Sequence, residues 1–322
     1  VVLLAERCFR HGDSPTVAQS PLLDLVPRLV TGLPQPIADG GRLLARLRPA
    51  MPPVLPPRGP APISLGRLGS LEALLATRPA DVRRAQALRY QVFFEEMAAI
   101  PSPLMRLTRR DADRFDRVAD HVLVVDHDTP EPLPFGRSRP RVVGTYRLLT
   151  PENAAKAGGF YSASEFDIAR LVSRNNGLRF LELGRSCVLP AWRQKRTIEL
   201  LWTAVWAYAR RNGADVLFGC ASFPGADPSQ HREALAFLRD TALAPVEWRA
   251  GAQPHRRIDM RGPVTRDAKR IVADLPPLIK AYLRLGAYVG DGAVSDAAFG
   301  TTDVLMILPV ARIGERYLKH FS

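Results

Sequence analysis

"FLELGRSCVLPAWRQKRTIELLWTAVWAYARRNGADVLFGCASF", Phe180–Phe223, is the stretch from which the organisation of the chain is read. Leu181–Leu189 is an apolar run that admits Glu182 and Arg185 and stops at Pro190. Proline has no N–H for a sheet ladder, so the run predicts a strand that ends there. Beyond a basic turn, Ile198, Leu201, Trp202, Val205 and Ala209 recur at spacings of three and four, which predicts an amphipathic helix. Arg210 and Arg211 suit the negative end of that helix, and Asn212-Gly213 supplies a stop. "ADVLFGCASF", 214–223, then predicts a second strand. Strand, turn, helix, strand is a crossover unit, which implies parallel strands.

Working outward, "HVLVVD" at 121–126 and "RVVGTYRLLT" at 141–150 predict an antiparallel pair. The proline-containing "DHDTPEPLPFGRSRP" between them reads as a turn or hairpin loop. Upstream, Val82, Ala85, Leu88, Arg89, Val92, Phe93 and Met97 predict a helix with Asp81 as N-cap. "SEFDIARLV", 164–172, fits a strand or a short helix. Downstream, "SQHREALAFLRD" predicts a short helix, "PVEWRA" an edge strand, "LPPLIKAYLRLGAYV" a helix opened by proline, and "DVLMILPV", 303–310, a strand. The expected class is α/β, a mixed layer domain without internal repeats. Residues 1–66 read as an N-terminal extension and linker, with seven prolines between Pro49 and Pro62, and residues 67–322 as the functional domain.

The composition is that of a globular protein, 46% hydrophobic and 24% charged over 322 residues. The net charge of +13 favours an anionic partner: nucleic acid, lipid headgroups, an acidic carrier protein or a phosphorylated cofactor. No zinc-finger, RNP or basic-zipper pattern occurs, and aromatics do not interleave with the basic runs, so nucleic acid is not expected. Cys8, Cys187 and Cys220 are too few and too scattered for a disulfide framework or a zinc site, and they suit a reducing compartment. The histidines are equally dispersed, so no metal site is expected. No run of 18 apolar residues predicts a membrane span, and the start of the chain lacks a signal-peptide pattern.

Glu182 is the residue that needs an explanation. A carboxylate between Leu181 and Leu183 is costly to bury unpaired, and burial would raise its pKa toward that of a useful proton acceptor. A structural ion pair with an arginine is the alternative. Strict alternation puts Glu182 and Arg185 on opposite faces; a bulge, which Gly184 allows, would change that. Arg193, Lys195, Arg196 and Thr197 precede or open a helix, whose free N–H groups and guanidinium neighbours suit a phosphate; a solvated basic loop is the plain alternative. Cys187, on the same strand, has no histidine near it in the sequence to activate it as a nucleophile.

"LRYQVFFEEM" (88–97), "FLELGRSCVLPAWRQKRTIELLW" (180–202), "FGCASFPGADP" (218–228) and "LPPLIKAYLRLGAYVGDGA…TTDVLMILPV" resemble, in order, the ornithine-lipid biosynthesis N-acyltransferases, often labelled hemolysin-like. These belong to the GCN5-related N-acetyltransferase superfamily. The likeness spans about residues 70 to 320. It implies a mostly antiparallel central sheet flanked by helices, with extra C-terminal elements. It also implies transfer of a 3-hydroxyacyl group from acyl carrier protein to the α-amino group of L-ornithine, giving lyso-ornithine lipid. The donor is then the phosphopantetheine thioester of the carrier, with acyl-CoA a weaker option and no permanently bound cofactor. In place of the superfamily's usual glycine-bearing acyl-CoA loop the chain has Arg193-Gln194-Lys195-Arg196-Thr197-Ile198, which suits a carrier-borne phosphate. The expected location is cytoplasmic or peripheral on the inner face of the cytoplasmic membrane; the basic stretches Arg106–Arg117 and Arg249–Arg270 suit an acidic carrier protein or anionic lipid heads, with a solvated surface the plain alternative.

The chain is more distantly similar to the acyl-homoserine-lactone synthases, which remain the alternative enzyme class. That resemblance implies Arg89, Phe93, Asp116, Asp120, Arg147 and Arg185 as substrate-binding residues beside a catalytic Glu182, with Asp113 competing for the place of Asp116. An acid such as Asp116, Asp120 or Asp227 would hold the ornithine side chain, and Arg89 or Arg147 its carboxylate. A structural ion-pair network would use the same residues.

Overall fold

The computed structural model describes residues 60–314. The readings of Cys8, of 1–59 and of His320 lie outside the described residues. Among the described residues nine strands form one sheet in the order β1-β2-β3-β4-β5-β6-β9-β8-β7. These are β1 (Ile63–Leu68), β2 (Leu71–Leu75), β3 (Asp120–Leu133), β4 (Arg137–Leu149), β5 (Phe180–Val188), β6 (Val216–Pro224), β7 (Arg257–Ile258), β8 (Tyr288–Asp296) and β9 (Thr301–Pro309). All neighbouring pairs are antiparallel except β5 with β6. The crossover read from the sequence is therefore present, and the sheet is the mixed, mostly antiparallel one that the resemblance implies.

The connecting helices are α1 (Pro79–Tyr90), α2 (Pro103–Thr108), α3 (Pro151–Lys156), α4 (Ile168–Arg174), α5 (Lys195–Arg211), α6 (Arg232–Ala242), α7 (Ala268–Asp274) and α8 (Pro277–Arg284). Helix α5 lies over β1–β4 on one face. Ile198, Leu201, Trp202, Val205 and Ala209 are all buried, as are Leu200, Ala204 and Tyr208, so the buried surface is wider than one stripe. Alternation in β3 divides the core. Val122 and Val124 pack with α5, whereas Leu123 and Val125 pack on the other face with Ala85, Leu88, Val92 and Phe93. Each such aliphatic side chain withdrawn from water contributes roughly 1.5–3 kcal/mol.

Several elements differ from their sequence reading. The hairpin loop is mostly strand: pairing resumes at Pro130↔Pro140 after an irregularity and reaches Leu133↔Arg137. Prolines there lack donors, but they sit where the ladder is interrupted or ends. Helix α1 starts at Pro79, with Arg78 rather than Asp81 at the N-cap, because proline fits the first helical position. The helix then widens into a π-turn over Gln91–Glu96, closed by Met97 N–H donating to the Val92 carbonyl at 3.1 Å. The 164–172 segment is helical at α4. "PVEWRA" is a 3-10 turn over Val246–Trp248, not an edge strand. The helix from Pro277 ends at Arg284, and Tyr288 opens a strand instead. The first strand opens at Ile63, inside the segment read as extension.

Candidate active site

Strands β5 and β6 pair only through Phe180↔Val216, Leu181↔Leu217 and Glu182↔Phe218, and then part. Gly219 marks the parting: a Cβ there would lie 2.1 Å from the Leu183 carbonyl oxygen. On the other side, Arg147 pairs with Gly184 and Thr145 with Cys187, so β5 carries an extra residue against β4. This is the bulge that the sequence allowed. Its strained residue is Arg185 itself, at φ 52, and not Gly184. The bulge brings Arg185 to the same cavity as Glu182. Arg147, Leu149, Tyr161, Ser162, Leu183, Gly184 and Cys220 complete the lining.

Glu182 does not face hydrocarbon. Its Oε1 accepts the Ser162 N–H at 2.7 Å and the Ser162 hydroxyl at 2.5 Å, and its Oε2 accepts the Tyr161 N–H at 2.7 Å. A carboxylate has about four lone-pair sites, so one remains, on Oε2. Burial pushes its pKa above the usual carboxylate value, against the pull of the three donors. No ion pair joins it to Arg185.

The arginines build a separate network beside it. Fully buried Arg89 donates from Nε to Asp111 at 2.8 Å and from Nη2 to both oxygens of Asp116 at 2.8 and 2.9 Å. Arg147 Nη1 reaches both oxygens of Asp113 at 2.7 and 2.8 Å, and Arg185 Nε reaches Asp111 at 3.1 Å. A short 3-10 turn, Arg114–Arg117, sets the aspartates. Asp113 accepts the Phe115 N–H, and Asp116 accepts the Asp113 N–H at 2.9 Å. Burial opposes ionisation of Asp113, but Arg147 and Arg185 outweigh it and hold the carboxyl at about 2. His121, behind Asp116, is pushed down to about 4 by burial and by Arg89, and is neutral. The Arg185 guanidinium stacks between the rings of Tyr161, 4.7 Å away, and Phe299, 4.6 Å away.

Of the residues named from sequence, Glu182, Arg147 and Arg185 share the cavity, and Arg89 and Asp116 brace it from behind. Phe93 lies in the apolar layer below and meets the site only through Phe299, ring to ring at 5.7 Å. Asp120 stands apart, accepting a hydrogen bond from the Tyr208 hydroxyl on α5. Asp227 caps an exposed 3-10 turn through Ser229.

In the basic turn, Arg193 is held by both oxygens of Glu96 at 2.5 and 2.7 Å, and by the Val188 carbonyl at 3.0 Å. Lys195 is exposed, 3.5 Å from Glu199. Arg196 lies against the β1–β2 turn, where a Cβ at Gly69 would meet its guanidinium at 2.6 Å. Thr197 is buried and its hydroxyl has no hydrogen-bond partner among the described residues. The N-cap, Gln194, makes no side-chain bond to the first turn of α5, so the turn's N–H groups stay free of side-chain capping.

The sequence reading missed Asp111, Tyr161, Ser162, Cys220, Phe299 and a buried acid on β9, Asp303. Asp303 carried the same signal as Glu182, an acid inside an apolar strand. For Asp111, Tyr161, Ser162 and Phe299 no spacing rule applied, because loops and short turns bring them in; Cys220 lies on β6, where its apolar run gave no sign of a site.

A parallel pair that splits open beside a buried glutamate, with an uncapped helix start just after the first strand, defines a GCN5-related acyltransferase. Residues 88–203 match the family model described as "Acetyltransferase (GNAT) domain". The L-ornithine N(alpha)-acyltransferase of Rhizobium meliloti (strain 1021) is 50% identical over 265 residues, 82% of this chain and 88% of that protein. The protein of the same name from Brucella abortus (strain 2308) is 51% identical over 262 residues, 81% of this chain and 92% of that one. Among solved structures, an N-acyl amino acid synthase from uncultured soil microbes aligns with a TM-score of 0.42 at 12% identity, covering 75% of this chain and 92% of that chain. A likeness of that size carries no functional argument. The chain belongs to the L-ornithine N(alpha)-acyltransferase family, and it is an acyltransferase.

Proposed function

We propose that the protein transfers a 3-hydroxyacyl group from acyl carrier protein to the α-amino group of L-ornithine, giving lyso-ornithine lipid. The observation that carries the chemistry is Glu182: buried, raised in pKa, held by three donors, and left with one lone pair beside the parting strands.

An α-ammonium has a pKa of roughly 8 and must lose a proton before it can attack. Glu182 takes that proton, directly or through a water, at the open Oε2 site. The nitrogen then forms a bond to the thioester carbonyl carbon. Beyond Glu182, the β5 backbone on the β6 side has no strand partner, and its N–H groups there suit the developing oxyanion. Collapse breaks the C–S bond, and the thiolate takes a proton from solvent. No enzyme-bound acyl group is needed. Burial pushes the thiols of Cys187 and Cys220 well above their usual range, which disfavours either as a nucleophile.

Arg147 and Arg185 line the cavity and suit the substrate carboxylate, while Arg89, Asp111, Asp113 and Asp116 hold them in place. The start of α5, with Lys195, Arg196 and Thr197, receives the phosphopantetheine phosphate at the end of β5 where the strands have parted. Arg193 shapes that turn through Glu96. The charge of +13 favours an acidic carrier.

Ile100, Leu104 and Leu107 are 67%, 68% and 83% exposed, and Arg106, Arg109 and Arg110 stand among them. That pairing suits a peripheral seat on an anionic membrane. Among the described residues no helix is long and apolar enough to cross one.

The direct test is incubation of purified protein with ornithine and either 3-hydroxyacyl carrier protein or 3-hydroxyacyl-CoA. Mass analysis should find the Nα-acylated product, faster from the carrier. A requirement for S-adenosylmethionine with release of a lactone would replace this reading with a homoserine-lactone synthase.

A further inference from the structure

Glu165, Asp296 and Asp303 present carboxylate oxygens that all lie within 4.8 Å of one another. Glu165 and Asp303 are buried. Among the described residues one cation contacts this trio, Arg256, whose Nη1 is 3.5 Å from Glu165. Three carboxyl groups against one arginine are an excess of acids that no cation among the described residues matches.

A second observation points to a ligand. Ser222 on β6 sits directly across from Asp303 on β9, and Thr301 precedes Asp303 by two residues on the same strand, so all three side chains emerge on one face. Among the described residues the Ser222 hydroxyl, the Thr301 hydroxyl and Asp303 Oδ1 are buried and make no hydrogen bond of good geometry, although both hydroxyls stand beside the Asp303 carboxyl. A hydroxyl that donates to the Asp303 carboxyl keeps lone pairs of its own, so the two hydroxyls and Asp303 Oδ1 together present open acceptor sites to a donor.

The cluster adjoins the active-site cavity. Cys220, which lines that cavity, has its Sγ 3.4 Å from the Ser162 hydroxyl and 3.3 Å from Glu165 Oε2. The same Ser162 hydroxyl donates to Glu182 at 2.5 Å. Glu182 and the acid trio are therefore the two ends of one short chain of contacts, on one face of the sheet.

Building on the ornithine reading, we infer that Glu165, Asp296 and Asp303 bind the side-chain ammonium of the acceptor amino acid and select a diamino acid over a neutral one. A primary ammonium has three donors. Acceptors tetrahedrally placed around it at hydrogen-bonding distance stand about 4.6 Å apart, which the trio permits. The Ser222 and Thr301 hydroxyls complete the pocket floor. The acids named from sequence are otherwise engaged: Asp116 by Arg89, Asp120 by Tyr208, and Asp227 by its own turn.

The experiment compares kcat/KM for ornithine with that for norvaline, which lacks the side-chain amine, using 3-hydroxyacyl carrier protein. Wild type, Asp303→Asn, Glu165→Gln and Asp303→Glu are measured, with melting curves to establish folding. The ornithine preference should fall by about 10- to 100-fold in Asp303→Asn and Glu165→Gln, mainly through KM, and be partly kept in Asp303→Glu. An undiminished preference in both folded neutral variants overturns the inference while leaving the ornithine reading intact. Failure of wild type to acylate ornithine overturns both. Stabilisation of wild type by magnesium or calcium alone, lost in Asp303→Asn, would also overturn it by assigning the trio to a metal.

Discussion

Glu182 and Glu165 are both buried acids, but their surroundings set them different tasks. Glu182 must be ionised to accept a proton. Its raised pKa means that turnover falls as pH drops through that value, in addition to the loss of free amine. Glu182→Gln should lower kcat by roughly 10²–10⁴-fold and leave a pH profile that follows only the amine; unaltered turnover across pH would remove Glu182 from the role of base. Glu165 is pushed up to about 7, by burial first and by Asp303 second. The folded protein therefore holds this proton where the unfolded chain has released it. The contribution to stability is greatest below the unfolded carboxyl pKa and is lost as pH rises toward 7. Glu165→Gln should flatten that fall: relative to wild type, its Tm rises from pH 5 to pH 8. Arg89 is a structural counter-ion. Arg89→Ala leaves Asp111 with Arg185 alone and Asp116 with only the 3.5 Å contact to Arg147, and should cost about 3 kcal/mol, seen as a lower midpoint in urea.

At the scale of elements, the site depends on where β5 loses its neighbours. On one edge the bulge at Arg185 interrupts the ladder to β4; on the other, β6 leaves after Glu182. Gly219 lets the Leu183 carbonyl approach at the last point of contact. Gly219→Ala would force a Cβ into that carbonyl and should destabilise the protein by about 1–3 kcal/mol. Its activity should fall more than that of Leu201→Ala, a core truncation on α5 that costs about 2–5 kcal/mol but leaves the parting strands alone. Melting curves and initial rates on the two variants separate the effects. The start of α5 follows the same logic, since the strand that carries Glu182, the proposed base, also delivers the helix end proposed for the donor phosphate.

Across the whole molecule, charge is arranged by sign. The excess of basic residues lies on the surface, whereas the acids without matching partners lie inside, next to the cavity. The proposed docking of a carrier protein should therefore weaken with salt. Raising ionic strength, or the pair Lys195→Glu and Arg196→Glu, should raise KM for the carrier several-fold with little change in kcat. The exposed Ile100, Leu104 and Leu107 beside arginines make a separate prediction. Leu104→Glu with Leu107→Glu should reduce sedimentation with phosphatidylglycerol vesicles and spare turnover with soluble substrates.

The crossover unit, the main antiparallel pair and the exceptional standing of Glu182 were legible in the sequence. Each rests on a local periodicity or on an acid in an apolar run, and such patterns survive without knowledge of neighbours. Strands β1, β2 and β8 were not legible, because "LEALL" and the stretch around Tyr288 become strands only by pairing with segments distant in the chain. The same holds for the partners of the site. Spacing could not choose among Asp111, Asp113, Asp116 and Asp120, which share one arginine-rich stretch. A 3-10 turn aims Asp113 and Asp116 at the arginines, the chain before it brings Asp111 to them, and α5 takes Asp120. The acid trio of Glu165, Asp296 and Asp303 comes from three separated segments. Sequence alone determined which residues were chemically out of place; only the tertiary structure decided which of them meet, because desolvation and charge pairing depend on distances that folding sets.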